Sequence, residues 1–98
     1  MMIETKRNEK ELTVALSGRL DTTTAPALEK TIVENIGGVE MLLLDFKGLE
    51  YISSAGLRVV LNAQKKMQQT GAMKVINVCE EVMEIFEITG FVDILTIE

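Results

Sequence analysis

The sequence predicts an α/β fold in which helices flank a mixed β-sheet and the elements follow the order ββαβαβαβ. Three observations support this prediction. Residues 12–20 alternate apolar side chains with small or polar ones, as a half-covered strand does. Leu28, Ile32 and Ile36 recur at four-residue spacing, which places them on one face of a helix. Residues 41–44 form a short, continuously apolar run, which is typical of a central strand covered on both faces.

The elements before that central strand have clear boundaries. Residues 3–6 predict a first strand, which a turn at residues 8–10 joins to the second. The hydroxyls of Thr22–Thr24 are expected to provide the N-cap of the first helix. Pro26 falls in the first turn of that helix, where a missing N–H costs nothing, and residues 37–38, both glycine, end it.

A second long helix follows the central strand. Residues 48–52 are expected to form a connecting segment that delivers the chain to the helix start at Ser53–Gly56. Apolar residues at helical spacing follow this start, and Gly71 ends the helix. The second helix therefore opens on two adjacent hydroxyl side chains.

The last part of the chain repeats the strand–helix pattern. Residues 73–78 read as another buried strand, and Glu80-Glu81 open a third helix that stops at Gly90. Residues 94–97 predict a final strand. Right-handed crossovers are expected between the parallel strands. The whole chain, residues 1–98, is expected to form one domain, because it is too short for two.

Composition excludes several classes of protein. Hydrophobic residues make up 47% of the 98 residues, enough for a core that needs no metal or disulfide. The lone Cys79 has no partner for an internal bridge and is expected to be a buried apolar residue. The chain shows no signal-peptide core and no apolar run long enough to insert in a membrane, so the cytoplasm is the expected compartment.

The charge distribution argues against a nucleic-acid partner. Ten Lys and Arg residues stand against fifteen Asp and Glu residues, for a net charge of −5, and the basic residues are scattered. Nucleic-acid binding requires a basic face, and only four aromatic residues are available for stacking on bases. A protein partner is compatible with this acidic balance.

The absence of histidine argues against catalysis. Without His, the chain cannot build a Ser-His-Asp or Cys-His nucleophilic site, and it lacks the commonest metal ligand. The Gly-rich dinucleotide fingerprint and the P-loop are also missing. The sequence therefore predicts no enzyme, no cofactor and no metal site.

Two hydroxyl-rich loops are the candidate functional site. Residues 18–24 and 48–56 each lead from a strand into a helix N-terminus, where free N–H groups and the positive end of the helix dipole accept a phosphate readily. Phosphorylation of Ser54 would add about −1.5 to −2 charges at a place that the helix tolerates. The residues alone leave a second interpretation open, in which both Ser53 and Ser54 only cap the helix and Asp21 only forms a turn.

Three blocks of sequence carry a family resemblance. Residues 18–21 read Gly-Arg-Leu-Asp before a Thr-rich turn, residues 42–46 read Leu-Leu-Leu-Asp-Phe, and residues 51–61 read Tyr-Ile-Ser-Ser-Ala-Gly-Leu-Arg-Val-Val-Leu. In this order they resemble the STAS domain, and in particular the bacterial anti-sigma factor antagonists. The resemblance covers essentially the whole chain, and the third block is its most specific part.

The resemblance implies a switch. In this family the serine two positions before the glycine is phosphorylated, and here that residue is Ser54. Many members carry Asp immediately before that serine, whereas this chain has a second hydroxyl there, so Ser53 is the reserve candidate. The resemblance implies a partner that is both an anti-sigma factor and a serine-protein kinase. The unphosphorylated protein would bind this partner and the phosphorylated protein would release it. A PP2C-type phosphatase could then remove the phosphate. The residues implied for partner binding are Asp21, Thr22, Thr23, Ser53, Ser54, Ala55, Gly56 and Arg58.

Two other interpretations keep the same fold. The chain could be a STAS scaffold that is never phosphorylated, or an accessory subunit of a stress-sensing or membrane transport complex. It could also use the two loops as a small-molecule pocket, which the lack of His and of nucleotide motifs makes the weakest of the three.

Overall fold

The computed structural model describes residues 1–98 and shows a four-stranded sheet with three helices. The predicted order ββαβαβα is confirmed through the third helix. The elements are β1 (Met2–Asn8), β2 (Glu11–Leu20), α1 (Ala25–Asn35), β3 (Met41–Ile52), α2 (Ser54–Thr70), β4 (Ala72–Ile76), α3 (Glu80–Thr89) and a 3-10 turn at Phe91–Asp93.

The sheet is mixed, as predicted, with the strand order β1-β2-β3-β4. β1 and β2 form an antiparallel hairpin whose turn contains Glu9 at a φ of 57°. β2, β3 and β4 run parallel to one another, and α1 and α2 provide the crossovers between them. The carboxyl ends of β2 and β3 therefore lie at the same edge of the sheet.

The core lies on one face of the sheet, which corrects the prediction that the central strand is covered on both. Leu42, Leu44 and Phe46 of β3 are fully buried, whereas Leu43 and Asp45 between them are only half-buried. The buried side chains of α1, α2 and α3 join the first set in a single cluster of 24 residues. The continuously apolar run was misleading because Leu43 points to the open face, where a strand tolerates an apolar side chain at partial exposure.

β3 runs much further than the sequence suggested. Residues 48–52 are the second half of this strand and not a connecting segment. The pairing with β2 shifts between Ala15 and Ser17 and again between Gly18 and Arg19, where β3 accommodates extra residues as bulges. Because of these bulges, the second half of β3 lacks the strict alternation of buried and exposed residues by which a strand is predicted from sequence. With the extra residues included, β3 ends at Ile52, which pairs with Leu20 at the end of β2.

The predicted final strand at residues 94–97 is reduced to a single bridge. Ile97 pairs with Val75 of β4 through hydrogen bonds of 2.9 Å from the Val75 N–H to the Thr96 carbonyl and from the Glu98 N–H to the Val75 carbonyl. The 3-10 turn uses the residues before it, and Phe91 in that turn stacks on Phe86 with ring centroids 6.2 Å apart.

Candidate functional site at the start of helix α2

The two loops singled out in the sequence lie side by side. Leu20 and Ile52 are paired at the ends of β2 and β3, and the Ser53 N–H donates to the Leu20 carbonyl at 2.8 Å. Asp21 therefore leaves one strand next to the point where Ser53 leaves the other. α1 begins four residues after Asp21, and α2 begins directly after Ser53. The site combines two loops and two helix N-termini at one edge of the sheet.

Asp21 organises its own loop as a turn former. Its Oδ1 accepts hydrogen bonds from the Thr23 hydroxyl at 2.7 Å, the Thr23 N–H at 3.0 Å and the Thr24 N–H at 3.2 Å. The bond from the Thr23 hydroxyl, followed by those from the backbone of Thr23 and Thr24, lowers the pKa of Asp21 against a smaller opposing effect of desolvation. The carboxylate is thus ionised at neutral pH and holds the loop in one shape.

The three threonines do not cap α1 in the expected way. Thr24 occupies the N-cap position, but its side chain makes no capping hydrogen bond. Its hydroxyl instead accepts from the Asp21 N–H and donates to the Arg19 carbonyl, both at 2.8 Å, and so ties the loop to the end of β2. Thr22 and Thr23 are exposed. Of the threonines, these two present their side chains where a partner can contact them.

The structure separates the two adjacent serines. Ser53 is the N-cap of α2: its backbone is extended, its side chain is half-buried, and its Oγ accepts from the Gly56 N–H at 3.4 Å. Ser54 is the first residue of the helix, is exposed, and has a hydroxyl that makes no hydrogen bond within the chain. The capping role and the free hydroxyl therefore belong to different residues.

Gly56 allows α2 to begin this close to the sheet. A Cβ at this position would lie 2.7 Å from Leu20 Cγ and 2.9 Å from Ile52 Cγ1, well inside van der Waals contact. Gly56 is itself buried and Ala55 is half-buried. Gly56, expected in the sequence as part of the partner surface, thus acts by setting the position of Ser54 against the ends of β2 and β3.

Two arginines lie at this end of the molecule in different states. Arg19 is positioned over the Tyr51 ring, with its guanidinium carbon 4.3 Å from the ring centroid. Arg58 is exposed, and it forms neither an ion pair nor a hydrogen bond. It lines a shallow depression between α2 and the start of α1, together with Thr22, Pro26 and Glu29. The Arg19–Tyr51 contact was missed in the sequence, since these residues become cross-strand neighbours only after the two bulges in β3.

No three His, Cys, Asp or Glu side chains come together as a set of metal ligands. Cys79 is half-buried at the N-cap of α3, with its Sγ 3.4 Å from the Leu49 carbonyl oxygen. None of the three helices has the length and apolar character required to cross a membrane.

Comparison with known proteins decides the family. The STAS domain matches residues 2–98. The chain belongs to the STAS domain family. A relative in Bacillus subtilis (strain 168), the anti-sigma-B factor antagonist, is 31% identical over 96 residues, which are 97% of this chain and 88% of that protein.

Solved structures show the same STAS fold. The anti-sigma factor antagonist SpoIIAA in its unphosphorylated form superposes with a TM-score of 0.86 at 19% identity, covering 99% of this chain and 88% of that one. The phosphorylated form of the Bacillus cell fate determinant SpoIIAA superposes with a TM-score of 0.78 at 18% identity, covering 99% and 91%. Both likenesses concern the fold, and they confirm the α/β architecture of this STAS domain.

Proposed function

We propose that this STAS domain is an anti-sigma factor antagonist that binds an anti-sigma factor while Ser54 is bare and releases it once Ser54 is phosphorylated. The observation that carries the proposal is the exposed, unbonded Ser54 hydroxyl on the first residue of α2, beside the loop of Asp21. The name of the Bacillus subtilis relative, an anti-sigma-B factor antagonist, supports the same role.

The position of Ser54 suits a phosphate. The first residues of a helix carry N–H groups without intrahelical acceptors, and the helix dipole is positive there, so a phosphate is favoured. α2 has no acidic residue in its first turn to compete with it. Phosphorylation would add about −1.5 to −2 charges while leaving the helix intact. The change falls on the surface that a partner reads.

Ser54 is a better acceptor than Ser53 for a structural reason. A phosphate on Ser53 would replace the hydroxyl that caps α2 and would have to leave a half-buried position. Ser54 needs no such rearrangement. The modified residue in this proposal is therefore Ser54, with the exposed side chains of Thr22, Thr23 and Arg58 forming the surrounding partner surface.

The partners follow from this role. The anti-sigma factor would also be the serine-protein kinase that modifies Ser54, and a PP2C-type phosphatase would restore the bare form. The STAS domain itself acts by binding and contributes no catalysis. All steps would take place in the bacterial cytoplasm.

The test is phosphorylation by the cognate kinase with ATP, followed by tryptic digestion and mass spectrometry. Cleavage after Lys47 and Arg58 yields the peptide 48–58, whose fragment ions distinguish the two serines. We expect one phosphate on Ser54, its loss in Ser54→Ala, and its retention in Ser53→Ala. A peptide that stays unmodified in the presence of the true partner would refute the proposal.

A binding measurement separates the switch from a scaffold. Ser54→Asp places a negative charge at the site, so we expect it to lose most of its affinity for the anti-sigma factor, while Ser54→Ala keeps it. Unchanged binding by Ser54→Asp would favour the alternative of a STAS scaffold that is never phosphorylated.

A further inference from the structure

An exposed arginine without an ion-pair partner, Arg58, lies one helical turn after Ser54 in α2. We propose that Arg58 is the internal counter-charge of a phosphate on Ser54, and that phosphorylation withdraws this cation from the partner surface. The inference rests on the proposed function, and it adds a second effect of the phosphate to its own negative charge. The bare protein would present Arg58 to an acidic group of the partner.

The helix geometry brings the two side chains together. Ser54 is the first residue of α2, and Arg58 follows one turn later. Residues four apart on a helix are neighbours, with Cβ atoms about 6 Å apart. Helical side chains also lean toward the N-terminus, so the long side chain of Arg58 can reach a phosphate on Ser54. Both residues are exposed, so a phosphate and a guanidinium can meet without displacing core atoms.

Arg58 is available because nothing else in the chain holds it. The ion pairs of the chain are Lys10–Glu40 and Lys74–Glu98, both remote in sequence from the site. Glu29 lines the same depression as Arg58 but does not approach it within ion-pair distance. Arg19, the other arginine at this edge, is engaged by the ring of Tyr51.

The electrostatics also favour the pair. A cation near the N-terminus of a helix opposes the helix dipole, and α2 carries no acidic residue in its first turn to offset it. A phosphate on Ser54 would satisfy both the dipole and Arg58. Guanidinium binds phosphate through two parallel hydrogen bonds, which an ammonium group of lysine does not reproduce.

The consequence is that phosphorylation has two local effects: it adds the negative charge of the phosphate, and it engages the guanidinium that was free to contact a partner. In the bare state the surface around Ser54 offers one free guanidinium on a protein whose net charge is −5. In the phosphorylated state that guanidinium is neutralised and an excess of negative charge remains. A partner surface with a carboxylate facing Arg58 would thus lose an attraction and gain a repulsion at the same point.

The experiment installs phosphoserine at position 54 during translation, so that no kinase is needed. Phosphorus NMR then follows the second ionisation of the phosphate, whose ordinary pKa is about 6. We expect Arg58→Gln to raise this pKa by roughly 0.5 unit or more relative to the otherwise unchanged phosphoprotein, since an adjacent cation favours the dianion. Arg58→Lys should give an intermediate value.

Lys65→Gln is the matched control, because it removes the same charge from the same helix two turns further from Ser54. Equal shifts in Arg58→Gln and Lys65→Gln, or no shift in either, would overturn the inference. Circular dichroism confirms that each variant is folded. Because the phosphate is built in, this result is independent of the kinase experiment, and a kinase that ignores Ser54 would refute the proposed function alone.

Discussion

Replacing Gly56 by alanine tests how closely α2 must approach the sheet. The added methyl would lie 2.7 Å from Leu20 Cγ and 2.9 Å from Ile52 Cγ1. Leu20 is 0% exposed and Ile52 1%, so neither side chain has room to move away. Overpacking of this kind costs about 1–3 kcal/mol, and two contacts below 3.0 Å place this site near the upper end. The helix propensity of alanine returns about 1 kcal/mol.

The expected net loss in the free energy of unfolding is therefore roughly 1–2 kcal/mol. For a domain of this size, each kcal/mol lowers the melting temperature by about 4–8 °C, so we expect Gly56→Ala to melt roughly 5–15 °C below the unchanged protein. Because the start of α2 must shift outward, phosphorylation of Ser54 by the cognate kinase should also slow.

Thermal and urea unfolding, both followed by circular dichroism, measure this loss. Gly37→Ala is the matched control, since a Cβ there meets nothing within 4 Å. Its free energy of unfolding should change by no more than about 0.5 kcal/mol. If Gly56→Ala is as stable as Gly37→Ala, the reasoning that glycine is required by close packing is wrong.

Three further predictions concern other contacts. Ser53→Ala should lose about 1 kcal/mol of unfolding free energy in urea because the cap of α2 is removed, whereas Ser54→Ala should change it by less than about 0.5 kcal/mol. The pKa of Asp21 is lowered, chiefly by a threonine hydroxyl, so the ionised carboxylate stabilises the fold above its ordinary pKa of 3.8 and this contribution is lost as the pH falls through the lower folded value. Asp21→Asn should consequently show a smaller drop in its urea midpoint between pH 6 and pH 3 than the unchanged protein. Arg7 donates hydrogen bonds to the carbonyls of residues 35 and 37 at the end of α1. Arg7→Gln should therefore lower the free energy of unfolding by roughly 1–2 kcal/mol and reduce hydrogen-exchange protection at the end of α1. Lys6→Gln, the control, should change neither quantity.

Much of the fold was predictable because local chemistry and tertiary structure agree. Four-residue spacing, a proline in the first turn and a glycine pair after the last turn specify α1 in the sequence, and the structure has the helix there. The strand–helix alternation after residue 39 then leaves only a parallel arrangement with crossover helices. These signals lie within a few residues of the features that they predict.

The parts that the sequence could not supply depend on contacts between distant segments. The second half of β3 is a strand only because β2 lies beside it and because two bulges absorb the extra residues. The bare face of the sheet is a matter of where the helices pack, and the apolar run at residues 41–44 carries no information about that. The same limit applied to residues 94–97, whose strand-like composition is outweighed by the turn that precedes them.

In the candidate site, too, one part could be predicted from local sequence and another depends on tertiary contacts. Sequence places Ser53 and Ser54 together at a helix start and gives both the chemistry of a cap and of a phosphate acceptor. Only the helix boundary assigns these roles, because the N-cap residue turns its hydroxyl back to the Gly56 N–H and the next residue turns outward. A one-residue shift of that boundary would exchange the two serines. Gly56 opposes the shift, since any other residue brought to its place would put a Cβ 2.7 Å from Leu20 Cγ and 2.9 Å from Ile52 Cγ1. The glycine therefore determines which serine is free.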